Sequence, residues 1–342
     1  MPQGASLAET LKSVAGDFDF IVARPGDQLV QLMKVLPSNV RVIAWAHNHL
    51  RGPMLKWLGR ERRVVAVVNV GREQMLLTRL SACYAKSTWI DNPVYEAEST
   101  DGERRGCRAV YMGALVPSKG FLSLAKMWPA IKEAVPDAQL DVIGSVDLYG
   151  AGSGGVGYIE KVRHHLGHNI EDAGVCFHGK LGVQKADVMN QALVGLPNPT
   201  GFTETSCLSA LEMSSAGLAL VVPHRWGYCD TVNPAQSGVF ASGGRSYVRS
   251  VAALLNNPDS ARRIGATGRQ WVSDNFSYDR ICQEWQGLFQ RLLEGKALRK
   301  QAPTYPTGRY PHGLLYRFDF LGPYAQPLVD VTDKVVGWNM RR

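Results

Sequence analysis

The stretch "RAVYMGALVPSKGFLSLAKMWPAIKEAVPDAQLDVIGS", residues 108–145, decides the fold class. It opens on an apolar, β-branched run and passes a Pro/Ser/Gly turn. It continues with apolar residues at helical spacing and closes on a second apolar run. Two strands joined through a helix are parallel neighbours, because a crossover of that length cannot close a hairpin. The same rhythm continues downstream. "YIEKVRHHLG" reads as a helix, "VCFHGKLG" as a strand and turn, "QKADVMNQA" as a helix and "LVGLPN" as a strand. A helix from Thr205 to Ser215 and the strand "LALVVP" follow. Upstream, "FDFIVAR" (18–24), "RVIAWAH" (41–47) and "RRVVAVVNV" (62–70) are apolar nearly throughout, as strands buried on both faces should be. The last helical pattern is 278–296. A Pro- and aromatic-rich tail over 302–327 is too apolar to be free in solution and is expected to pack back on the molecule.

The chain has 342 residues, which suggests two domains. The polar, Gly-bearing "ESTDGERRGC" marks a boundary near 100–107. The net charge is +8, which favours phosphate-bearing small molecules, nucleic acid or an anionic membrane surface without choosing among them. No basic stripe is interleaved with aromatics, so nucleic acid is not expected. The six cysteines form no C-x-x-C pair, so no zinc site is expected, and most read as reduced, buried thiols. The opening "MPQGASLAET" lacks a charged-then-apolar pattern, so no signal peptide is expected. No apolar run approaches the ~20 residues of a membrane span.

"GFTETSCLSALEMSSAGLALVVP" (201–223) places Glu204 at or just before a helix N-terminus and Glu212 eight residues on. On a helix that is about 12 Å along the axis and about 80° around it. Two carboxylates serving one glycosidic bond sit about 5–9.5 Å apart. The spacing therefore suits two contacts along one extended ligand. Between them lie the amides of Thr205, Ser206 and Cys207, and a helix N-terminus attracts an anion by about 0.3–2 kcal/mol. A ligand with phosphate in its middle and hydroxyls at both ends fits, which describes a nucleotide-sugar. The plainer reading is that Glu204 favours the dipole and Glu212 faces solvent.

This E-x(7)-E, following a "PN" strand end and followed by "SAGLALVV", resembles the signature of retaining GT-B glycosyltransferases, family 4-like, group 1. Other segments match in order. "MGALVPSKGF" (112–121) resembles the family's G-R-x-x-x-x-K-G turn, and "FHGKLG" (177–182) the strand before the base pocket. "WGYCDTV" (226–232) resembles the turn closing the donor site, and "VIAWAHNH" (42–49) the first-domain strand ending in a histidine. The resemblance covers about 40–290. It implies an α/β fold of two Rossmann-like domains facing across a cleft. The first domain, 1–106, is acceptor-side and unusually short. The second, 107–290, is nucleotide-sugar-binding, and 291–342 forms a helix end and tail packing back on the first. It implies that Glu204, His47 and Lys119 are catalytic. Gly113, Lys119, Gly120, Lys180, Leu181, Thr205, Ser206, Cys207, Leu208 and Glu212 would bind donor. Glu212 would take the ribose hydroxyls, Glu204 the transferred sugar, and Lys119 the leaving diphosphate, with Gly120 admitting close approach. The pattern departs at Ala114, where the family has arginine. Lys180 and Arg225 are the candidates to replace that charge.

The implied activity is metal-independent, retaining glycosyl transfer from a nucleotide-diphosphate sugar to a glycan, lipid-linked or small-molecule acceptor. No cofactor is expected beyond that co-substrate, and the expected location is cytoplasmic. The alternatives are a sugar-nucleotide epimerase and a catalytically degenerate nucleotide-sugar-binding protein. His49 competes with His47. "GSGGVG" (152–157) does not follow a strand at once, so it reads as a loop rather than a dinucleotide fingerprint. "HHLGH" (164–168) reads as a solvated helix end rather than a metal site. "LRGPMLKWLGRERR" (50–63) reads as an amphipathic helix on the first sheet. Its basic face makes peripheral contact with the inner face of the membrane the competing reading.

Overall fold

The structure is a computed structural model that describes residues 7–79, 81–95, 106–150, 157–167, 172–201, 204–224, 227–233 and 237–298. In chain order the first elements are α1 (Leu7–Val14), β1 (Ile21–Ala23), α2 (Asp27–Val35), β2 (Val42–Ala46), α3 (Gly52–Arg60), β3 (Val64–Asn69), α4 (Arg72–Leu77) and β4 (Ser87–Trp89). Then follow β5 (Arg108–Met112), α5 (Phe121–Ala134), β6 (Gln139–Ile143), α6 (Tyr158–Leu166), β7 (Val175–Gly179), α7 (Lys185–Asn190) and β8 (Val194–Gly195). The last are α8 (Leu208–Ser215), β9 (Ala219–Pro223), α9 (Tyr228–Thr231), β10 (Gly238–Ala241), α10 (Gly244–Leu255), α11 (Pro258–Phe276) and α12 (Tyr278–Leu293).

The chain divides into two compact units. One holds the described residues up to Asn92 and from Asp279 onward, and the other holds Pro93 to Tyr278. The first unit is built on the parallel sheet β1-β2-β3-β4. Successive residues of a strand face opposite ways. Val42 and Ala44 of β2 therefore meet Leu29 and Met33 of α2 and Leu55 and Leu58 of α3, and a register shift that skips Val65 puts both Val64 and Val67 of β3 on that same side. Ile43, Ala66 and Val68 point to the other face, against Ile281 and Leu288 of α12 with Trp285 and Phe289 beside them. The apolar side of 50–63 is thus used inside this unit, since Met54 and Trp57 also pack on the α2–α3 side. No helix among the described residues is long and apolar enough to cross a membrane.

The second unit carries the parallel sheet β10-β9-β8-β5-β6-β7. Tyr111, Leu140 and Val142 face α5, α6 and α10. Val110, Met112 and Ile143 face the other way, toward α7 and α8. Strand β5 lies between β6 and β8, so the chain leaves it first to one side and later to the other. In open parallel sheets, ligands bind outside the carboxyl ends of the strands at such a reversal. The segments leaving β5 and β8 carry Lys119 and Glu204.

Several boundaries differ from the sequence reading. The helix expected from Thr205 begins at Leu208. Residues 204–206 are held off the helix by a turn: the Gly227 amide donates to the Glu204 carbonyl at 3.0 Å. Strands β4 and β10 and helices α1, α2, α4, α9, α10 and α11 were not anticipated. The sequence reading ended the second domain at 290, whereas α12 packs on the first unit's sheet. The tail 302–327, the loop 152–156, His168 and Arg225 lie outside the described residues.

Candidate active site

The turn after β5 is tight. Pro117–Lys119 form one 3-10 turn, and Gly120 follows at φ +70°. A Cβ on Gly120 would stand 2.6 Å from Asn198 Oδ1 and 2.9 Å from Thr200 Cγ2. A glycine is therefore required twice, by backbone sign and by space. The close approach it permits is to Asn198 and Thr200, where the sequence reading had it serving a ligand. The hydroxyl of Tyr111, on β5, donates to the Lys119 carbonyl at 2.9 Å and fixes the turn beneath the lysine.

Lys119 Nζ donates to Glu204 Oε1 at 2.7 Å. The glutamate side chain is 6% exposed and the lysine 25%. Burial pushes the Lys119 ammonium down, but the Glu204 carboxylate outweighs it and holds the pKa above its ordinary value. The lysine is a fixed cation. Asn198, one strand end away, donates a second hydrogen bond to Glu204 Oε1 at 2.9 Å and another to the Ser118 carbonyl at 3.1 Å. Its own Oδ1 accepts from the Thr200 hydroxyl at 2.7 Å and the Thr200 amide at 3.2 Å. Tyr228 of α9 donates to the Asn198 carbonyl at 3.1 Å. One amide side chain thus joins the lysine turn, the glutamate and the β8 exit. Glu204 Oε2 has no protein partner among the described residues.

Past Glu204, the amides of Ser206, Cys207 and Leu208 make no hydrogen bond among the described residues, and the Ser206 hydroxyl is buried without a partner. Cys207 donates to Tyr228 Oη at 3.3 Å. Burial first, and then the Glu204 charge, push its thiol pKa up to about 11. It is a neutral packing group, and only its amide is offered outward. Gly227 lies against this segment: a Cβ there would come 2.4 Å from the Thr205 carbonyl carbon.

Glu212 lies one turn into α8 and accepts from Lys185, at the start of α7. Both line a hollow with Gly113, Lys180, Leu181 and Ser209, at the carboxyl ends of β5, β6 and β7. Its floor is set by backbone contact, since a Cβ on Gly144 would stand 1.9 Å from the Gly113 carbonyl oxygen. The structure therefore gathers Gly113, Lys180, Leu181 and Glu212 around the hollow. Lys119, Gly120 and Glu204 meet around Asn198, and the segment 205–208 connects the two groups. The two glutamates do not share one helix, so the helical estimate of their separation does not apply. Each carboxylate is held by its own lysine. The sequence reading missed Asn198 and Lys185. The "PN" after β8 was the signal for Asn198, whereas nothing local marked Lys185.

In the first unit, His47 follows β2 with its ring against Trp45, centroids 4.3 Å apart. Burial and then the nearby Arg24 charge lower its pKa, so it is neutral at pH 7. Gln74 fixes the loop that carries it. The Gln74 amide donates to the Ala46 and Asn48 carbonyls at 3.0 and 2.8 Å, and its oxygen accepts from the Val70 amide at 2.9 Å.

Two parallel Rossmann-like sheets, together with solved GT-B neighbours, give the class of fold as GT-B. Residues 105–271 match the family described as glycosyl transferases group 1. A GDP-mannose-dependent alpha-(1-6)-phosphatidylinositol monomannoside mannosyltransferase of Mycobacterium tuberculosis is 30% identical over 205 residues, 56% of this chain and 50% of that protein. The protein of the same description from Mycolicibacterium smegmatis is 23% identical over 330 residues, 87% of this chain and 81% of that protein. The chain spans about half the length of the Mycobacterium tuberculosis relative. Among solved structures, Anabaena Alr3699/HepE in complex with UDP-glucose superposes with a TM-score of 0.70 at 14% identity, covering 85% of this chain and 84% of that one. That likeness is one of fold.

Proposed function

We propose that the protein transfers a hexosyl group, with retention and without a metal, from a nucleotide-diphosphate sugar to an acceptor hydroxyl. The GDP-mannose dependence of the two mycobacterial relatives makes GDP-mannose the donor to test first and a lipid-linked glycan the acceptor. The observation that carries the reading is the Lys119–Glu204 pair beside the unbonded amides of Ser206 to Leu208. A diphosphate seated there meets one fixed ammonium and a set of N–H donors, which stabilise the charge that grows as the glycosyl bond breaks. The departing phosphate oxygen then takes the proton of the acceptor hydroxyl arriving on the same face. Glu204 Oε2 accepts from a hydroxyl of the transferred sugar. Glu212 turns from Lys185 to the ribose hydroxyls in the hollow. Lys180 and Lys185, both lining it, supply the cation missing at Ala114. His47, neutral and at a strand end, donates a hydrogen bond on the acceptor side.

The test is donor binding and turnover in two variants. Glu204→Ala is expected to lower turnover by ~100-fold or more, the scale of a lost electrostatic contact at the reacting centre. Glu212→Ala is expected to weaken donor binding about tenfold with kcat little changed, as loss of uniform binding does. Activity like the unmodified chain in both variants sinks the assignment. Donor converted without acceptor selects the epimerase reading, and donor bound but never converted selects the degenerate one.

A further inference from the structure

We propose that the second unit carries a binding site for a thiophilic divalent transition metal, of the zinc class, built from Asp141, Cys176 and His178. Their donor atoms all lie within 4.8 Å of one another. Asp141 and Cys176 are register partners on the parallel neighbours β6 and β7, so their side chains stand on one face. That face is set by Leu140 and Val142, which occupy the opposite core. The register between the strands then shifts, because Val142 pairs with Phe177 but Ile143 with Gly179. His178 is the extra residue of this bulge, and a bulge re-aims a side chain. Its Nε2 stands 2.8 Å from Asp141 Oδ1.

The donor set is one thiolate, one imidazole and one carboxylate oxygen, the ligand types zinc takes at about 2.0–2.3 Å. Three protein ligands leave a fourth position for water or an exchangeable ligand. Arg108 donates to the other carboxylate oxygen, Oδ2, at 3.0 Å. It turns Oδ1 toward the histidine and leaves the carboxylate monodentate, as outer partners of metal ligands do. Binding releases the Cys176 thiol proton, and the thiolate offsets the repulsion between the dication and the guanidinium. Cys176 is exposed, so the position has an entry path. The site is separate from the donor machinery, although Lys180 follows His178 by two residues. Its occupancy would stiffen the turn that lines the hollow.

Without a metal, Arg108 and His178 merely hydrogen-bond a buried carboxylate and Cys176 is incidental. Cobalt(II) titration of the full chain separates the two cases. One equivalent of cobalt should produce a thiolate-to-cobalt charge-transfer band in the near ultraviolet, removed by one equivalent of zinc. Cys176→Ser, at an exposed position that leaves the fold unchanged, should abolish the band. Outer-shell partners are worth about 10–100-fold in metal affinity, so Arg108→Gln should weaken cobalt binding by that factor and His178→Gln by at least as much. Absence of the band, its survival in Cys176→Ser, or unchanged affinity in His178→Gln overturns the site. Equal melting temperatures for Cys176→Ser and the unmodified chain show that a lost band reports a lost ligand.

Discussion

At the scale of single residues, the candidate site turns on Asn198, which touches everything that must stay in register. Removing its side chain strips one hydrogen bond from the buried Glu204 carboxylate and one from the Ser118 carbonyl. Each buried group left unsatisfied costs about 1–3 kcal/mol. Asn198→Ala is expected to lose about 2–4 kcal/mol in denaturant unfolding, since the neighbouring hydroxyls and water recover part of that sum. It should lower kcat more than it raises KM, because Glu204 is left to find its own rotamer. An unchanged kcat would show that Lys119 alone positions the carboxylate. His47 makes a second prediction. Its folded pKa lies below the ordinary 6.5, through burial and then Arg24. The unfolded chain therefore binds the proton first. The stability linked to His47 is full above pH 6.5 and is lost as pH falls through the folded value. His47→Gln should flatten that acid limb, as read by melting temperature against pH. The carboxylates and Lys119 were singled out in the sequence because each sits in a segment that resembles a family motif, although Lys119 meets Glu204 across 85 positions. Asn198 meets Ser118 across eighty positions, and Lys185 meets Glu212 from another helix. A linear reading carries no such pairing.

At the scale of elements, glycines marked what the sequence obscured. Helix α11 contains Gly265 and Gly268, which read as breakers. A Cβ on Gly265 would stand 2.0 Å from the Gly217 carbonyl oxygen, so the glycine is the price of packing the helix onto the turn before β9. Strand β4, only Ser87–Trp89, carries too little apolar pattern to declare itself, whereas β2 and β3 are apolar nearly throughout. The late start of α8 has the same origin in tertiary contact. Local pattern favours helix from Thr205, but the Gly227 turn binds the Glu204 carbonyl and presses on Thr205. Gly227 has φ −55°, which any residue adopts. Its constraint is space alone. Gly227→Ala must move the 204–206 segment and should cost about 1–3 kcal/mol, as overpacking does. We expect weakened nucleotide binding by calorimetry with the far-UV spectrum unchanged. Unaltered affinity would mean that the segment shifts without disturbing its amides.

At the scale of the molecule, the chain crosses between its units twice, after Asn92 and after Tyr278. The amphipathic run Ile281, Trp285, Leu288 and Phe289 announces a helix with one buried face. It does not say which sheet that face covers, and adjacency in sequence assigned it to the second. The structure lays it on Ile43, Ala66, Val68 and Ile90 of the first unit. A parallel sheet needs both faces covered, and β2 and β3 carry apolar residues on both. Ile281 is 2% exposed. Truncating a buried isoleucine costs about 2–5 kcal/mol, and that loss should fall where the side chain is buried. In Ile281→Ala, amide exchange should accelerate in 42–46 and 64–69 and stay unchanged in 219–223, measured by hydrogen–deuterium exchange. Faster exchange confined to β9 would place the helix with the second unit, as its position in the chain suggests. Acceleration in both sheets would mean that the units open as one.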